Sequence, residues 1–156
     1  MSGLELYLNF CVFLFGAAIG SFLNVCIHRL PRGESLVNPP SHCPQCRARI
    51  RWWDNIPLFS YLRLRGRCRH CQAKISPRYV LVELVTAVLF LWIALRFSGW
   101  LIPIHWLFVA GLIAATFIDL EHFIIPDELT LLGALAGWIL SGLYPALMGA
   151  ASYEVA

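Results

Sequence analysis

Four of the six cysteines in this chain fall into two C-x-x-C pairs, Cys43-Pro-Gln-Cys46 and Cys68-Arg-His-Cys71, with 21 residues between them. Each tight pair can turn two thiolates toward one ion, and two such pairs make a tetrahedral set, here at the long end of the spacing seen in structural zinc sites. Cys43, Cys46, Cys68 and Cys71 are therefore the candidate ligands of one structural zinc. A second group of reactive side chains lies downstream, where Asp119, Glu121, His122, Asp127 and Glu128 crowd together. Paired carboxyl groups can hydrolyse a peptide bond without a metal. Held close, they cannot both ionise, so one takes a proton from water while the other polarises the carbonyl. Asp119 falls where an apolar segment meets polar sequence, a low-dielectric border suited to a group that trades protons. His122 shares its helical face. Asp127 follows Pro126 and precedes an apolar run, so it reads equally well as a helix N-cap.

These groups sit in a chain that is mostly oil. Of 156 residues, 59% are hydrophobic and 13% charged, which excludes an ordinary soluble domain. A bilayer span needs roughly 20 apolar residues, and the chain has room for about four: 4–27, 79–97, 100–118 and 129–147. The fold class is all-α and polytopic, with 1–28 carrying the first helix, 29–78 a basic loop, and 79–156 the remaining helices. Eleven of the twelve Lys and Arg residues lie between Arg29 and Arg78. Positive-inside topology accounts for that better than nucleic-acid binding, so no nucleic-acid partner is expected. It places the N-terminus outside and the loop in the cytoplasm, where reducing conditions favour metal over disulfide. The count of spans then brings Asp119 to the same face as the loop.

Single residues refine this outline. Gly16 and Gly20 form a G-x-x-x-G pair that admits a neighbouring helix closely, within the chain or in a homo-oligomer. Asn24 and His28 share a face near the end of the first span and suit interhelical hydrogen bonding. Glu83 lies one turn inside the second span, where a carboxylate needs a partner; Arg78 and Arg29 are the expected ones. Trp52, Trp53 and Phe59 suit either packing around the metal or the lipid interface, and Trp100 and Trp106 the interfacial belt. Cys11 and Cys26 read as small apolar residues.

Four motifs in order carry a resemblance: Gly20-Ser21-Phe-Leu-Asn24-Val-Cys-Ile-His28-Arg29-Leu-Pro31, the double C-x-x-C, Ser76-Pro77-Arg78-Tyr79-x3-Glu83-Leu-x-Thr86-Ala87, and Ile118-Asp119-x6-Pro126-Asp127-x-Leu129-Thr130. Together they resemble the bacterial type IV prepilin peptidases, membrane aspartyl endopeptidases of type IV pili and type II secretion. The resemblance implies cleavage of prepilin and pseudopilin leaders at the cytoplasmic face of the inner membrane, with Asp119 as the first catalytic aspartate. It also implies, in many members, N-methylation of the new terminus using S-adenosylmethionine. The family's second aspartate lies in a G-x-G-D motif several spans later. After Glu128 this sequence has one acid, Glu154, so the 156 residues are expected to be catalytically incomplete alone. The alternative is a non-catalytic scaffold whose zinc loop docks a pilus or secretion component.

Overall fold

The computed structural model describes residues 2–38, 40–124 and 126–143. Among these, the chain is helical, with helix α1 (Gly3–Arg29), a single turn α2 (Phe59–Arg63), α3 (Arg78–Arg96), α4 (Leu101–His122) and α5 (Asp127–Leu143). The α1 start is specified locally. Ser2 Oγ accepts the Glu5 N–H at 3.2 Å, and Glu5 Oε2 accepts the Ser2 N–H at 2.8 Å, which closes a capping box. Helices α1, α3 and α4 are long and apolar enough to cross a membrane. The described part of α5 has 17 residues, and the rest of the expected fourth span lies outside the described residues, as does Glu154.

Antiparallel α1 and α3 pack through the glycine pair. A Cβ on Gly16 would stand 2.8 Å from Ala87 Cα, and one on Gly20 2.6 Å from Glu83 Cα. Only the missing side chains let the two backbones meet. G-x-x-x-G is thus spent on a contact within the chain rather than on a dimer face. One turn further along, buried Asn24 donates from Nδ2 to the Tyr79 carbonyl at 3.0 Å. The three contacts place Gly16, Gly20 and Asn24 level with Ala87, Glu83 and Tyr79. Helix α4 joins them through a core of Leu23, Ile27, Val82, Ile113, Ala114 and Ile118. Trp106, expected in the interfacial belt, is instead a tether. Its ring stacks on Phe90 at 5.0 Å and its Nε1 donates to the Phe90 carbonyl at 2.9 Å. Asn24 and Trp106 each satisfy a polar group against backbone where lipid offers no partner.

Helix α4 ends at His122, one turn later than the sequence suggests. Phe123 takes a left-handed conformation (φ 54°) and returns its N–H to the Asp119 carbonyl at 2.8 Å, a helix stop that a following proline reinforces. Asp127 is the first residue of α5 rather than its cap; the Pro126 carbonyl accepts the first helical bonds. An acid in that first turn still suits the helix dipole.

Candidate functional site

The loop between α1 and α3 is built from two copies of one small device. In the first, the Cys43 N–H donates to the Ala48 carbonyl and the Cys43 carbonyl accepts from Arg47; in the second, Cys68 does the same with Ala73 and Gln72. Arg47 and Gln72, each just after its second cysteine, share a left-handed conformation at φ 56° and 57°. The Ile50 N–H reaches the Ser41 carbonyl, and the Ile75 N–H reaches the Gly66 carbonyl, at matching offsets. The sequence carries the same repeat, C-x-x-C-x-A-x-I, once from Cys43 to Ile50 and once from Cys68 to Ile75. That signal was legible and lies beyond the bare cysteine spacing.

The two knuckles face each other. Cys43 Sγ lies 3.8 Å from Cys71 Sγ, and Cys46 Sγ 3.9 Å from Cys68 Sγ, with all four sulfurs within 4.8 Å of one another. Four thiolates about 2.3 Å from a tetrahedral ion would be separated by about 3.8 Å. The donor set therefore fits a metal in size as well as in chemistry. The N–H groups of Cys71 and His70 turn toward Cys68 and bring its thiol down to about 7. At Cys71 the Ala73 N–H favours the thiolate, but desolvation and the other three sulfurs outweigh it and push the thiol up to about 11. Four sulfurs this close repel as thiolates, a repulsion that a bound cation relieves.

Two long-range contacts of carboxylates help to fix this loop. Arg69, within the second knuckle, grips Asp54 with Nε on Oδ2 at 2.7 Å and Nη2 on Oδ1 at 2.5 Å. That fork holds the Asp54 carboxyl below its ordinary value, as charge-assisted bidentate bonds do. The other contact reaches the membrane helices. Glu83, 8% exposed, accepts the Leu58 N–H on Oε2 at 2.8 Å. Leu58 sits at φ 60°, ψ −50°, a tight γ-turn conformation that aims its amide at the helix. The expected partners of Glu83 are otherwise engaged. Arg29 is buried and donates to the Ser35 carbonyl at 2.6 Å, while Arg78 forms an ion pair with Glu121 at the end of α4. No side-chain pattern marks a backbone N–H as the partner, so sequence reasoning missed it.

Beneath the knuckles the loop and the ends of α1 and α3 enclose a cavity of about 570 Å³. Asn24, His28, Arg78, Glu83 and Glu121 are among the residues that line it. Asp119 lies exposed in the last turn of α4, at the end of the bundle where the Arg78–Glu121 pair joins α3 to α4. His122 is partly buried, one turn from Asp119, with Nε2 4.0 Å from Glu121 Oε2. The structure thus gathers the cysteine site, the cavity and Asp119 at one end of the helices. Of the aromatic residues assigned to the metal or the interface, Trp53 sits under Arg51 at 5.4 Å. Trp52 and Phe59 are exposed and do not wrap the sulfurs.

Three apolar helices of membrane-spanning length, with a four-cysteine module at one end that could hold a metal, define the class of the protein: all-helical and suited to a membrane. A family model described as the bacterial peptidase A24 N-terminal domain matches residues 14–97, more than half of the sequence. The chain belongs to the bacterial prepilin peptidase family. It is 48% identical to a prepilin leader peptidase/N-methyltransferase of Myxococcus xanthus, over 91% of this chain and 45% of that protein. It is also 48% identical to a type 4 prepilin-like proteins leader peptide-processing enzyme of Escherichia coli, over 79% of this chain and 54% of that one. A Neisseria gonorrhoeae prepilin leader peptidase/N-methyltransferase is 37% identical, over 86% and 65%. The chain spans about half the length of the first two relatives. No solved structure matches it.

Proposed function

We propose that the chain serves a type IV prepilin leader peptidase of the bacterial inner membrane, with Asp119 as one of its two catalytic acids. The observation that carries this reading is the Arg78–Glu121 ion pair. It ties the last turn of α4, which bears Asp119, to the loop end of α3, beside the cavity that Arg78 and Glu121 line. An aspartate there can exchange a proton with water at the edge of the membrane, where a leader entering from the aqueous side meets the mature apolar segment. The second acid is assigned to no residue of these 156. Cys43, Cys46, Cys68 and Cys71 hold zinc as a structural ion, whose chemistry is to neutralise four thiolates and cross-link the loop. The relatives' names support an N-methyltransferase activity; we infer that it acts on the cleaved terminus, with S-adenosylmethionine supplying the methyl group. The concentration of arginine in the loop favours the cytoplasmic side for the loop and Asp119 alike.

A leader-cleavage assay in membranes tests the peptidase. It compares this chain, the chain joined to the C-terminal half of a relative, and the joined form carrying Asp119→Asn. The joined form is expected to cleave and the Asp119→Asn form to be inactive, because an amide keeps the shape but cannot exchange the proton. Full activity of Asp119→Asn would remove Asp119 from the mechanism.

A further inference from the structure

The loop exposes large apolar side chains although it is the most highly charged part of the sequence. Val37 is 78% exposed, Trp52 75%, Phe59 56% and Leu62 73%. Phe59 and Leu62 are three apart on the single turn α2 and share its outer face. Trp52 lies in the short helical turn Trp52–Asp54 that packs on α2, and contiguous exposed apolar surface of this kind marks a face that something covers.

Depth identifies the cover. Leu58, beside Phe59, is hydrogen-bonded to Glu83, five residues inside α3, or about 7 Å along a helix axis from Arg78. Val37 and Pro57 line a second cavity, of about 440 Å³, together with Ala18 and Phe22 of α1. Those residues lie near the level of Gly20, which meets Glu83. The loop does not stand clear of the membrane helices; it dips alongside them, below the level of their terminal arginines. Exposed side chains at this depth come within reach of lipid once the helices span a bilayer. Arg51 and Arg63, both exposed, flank the apolar set as cations flank an interfacial segment. Tryptophan is itself suited to the headgroup level.

We propose that the face formed by Val37, Trp52, Phe59 and Leu62 is embedded in the interface of the leaflet that carries the loop, with Arg51 and Arg63 against anionic headgroups. The cysteine module is then held by the bilayer on one side and by Glu83 on the other. This inference is independent of Asp119 and of peptidase activity.

The test uses purified protein in vesicles of phosphatidylcholine and phosphatidylglycerol, with acyl chains brominated either near the headgroup or near the chain end. Subtracting the emission of Trp52→Phe isolates Trp52 from the other indoles. Trp52 is expected to be quenched by the shallow bromines on the order of twofold more than by the deep ones, as suits a group roughly 5–10 Å below the surface. Aqueous iodide should quench it weakly. Phe59→Ser with Leu62→Ser should release Trp52 to iodide while the metal content stays unchanged, which separates lost insertion from lost folding. Iodide quenching of Trp52 as strong as that of a free indole, without response to brominated lipid, overturns the proposal. Iodide quenching that disappears only on adding an apolar single-span peptide also overturns it, and assigns the face to a protein partner.

Discussion

Gly20→Ala is the smallest change that strains the membrane part of the fold. Its new methyl would lie 2.6 Å from Glu83 Cα, whereas carbon atoms rest at about 3.5–4.0 Å. Helices α1 and α3 must therefore part by about 1 Å at that level. Overpacking of this kind costs about 1–3 kcal/mol. The Asn24 bond to the Tyr79 carbonyl, at 3.0 Å, would stretch beyond hydrogen-bonding range, for about 0.6 kcal/mol more. Against this stands the better helix propensity of alanine, about 1 kcal/mol. The net expectation is a loss of about 0.6–2.6 kcal/mol. Gly111→Ala is the control, since nothing in the described structure lies within 4 Å of its Cβ position; it should be neutral or slightly stabilising. Both are measured by unfolding in mixed micelles, following helical circular dichroism against the fraction of denaturing detergent. If Gly20→Ala unfolds at the same detergent fraction as Gly111→Ala, the close approach of the helices is refuted.

Two further outcomes concern the loop. Purified protein should carry about one zinc per chain, and chelation or Cys43→Ser should expose the 43–71 segment to protease while the helices remain protected; a metal-free loop that resists protease equally well would show that the sulfurs are not its staple. The Asp54–Arg69 pair sets an acid limit. Because the folded carboxyl titrates below its unfolded value near 3.9, its contribution is fully present above that value and is lost as pH falls through the lower folded one. The excess protease resistance of the native loop over Arg69→Met should thus be constant from about pH 8 to 5 and close below about pH 4; a gap that closes near neutrality would contradict this.

What could be read in advance depended on whether residue type advertises its partner. Cysteines at C-x-x-C spacing do so, and the four sulfurs meet as expected. Gly16 and Gly20 advertise close approach, and only the identity of the approaching helix had to come from the structure. Glu83 advertises a need without naming what meets it. The obvious arginines, Arg29 and Arg78, lose to a backbone amide 25 residues away, made available by a γ-turn at Leu58 that no propensity signals. Glu121 likewise finds its partner far off, binding Arg78 across 43 residues of sequence. Long-range pairing of charges depends on helix rotation, which uniformly apolar helices such as α4 leave unspecified. Asp119 stood out through family resemblance more than through its own surroundings.

The doubled knuckle has a consequence for the order in which the protein assembles. Pairing α1 with α3 closes a loop of about 48 residues, and a metal joining the knuckles shortens the free path to about 21; since closure entropy grows only with the logarithm of length, that shortcut is worth less than about 1 kcal/mol. The glycine notch can therefore zip the two helices together during insertion, before any ion arrives. A metal bound by the four sulfurs would then act late, on a hairpin whose ends are already close.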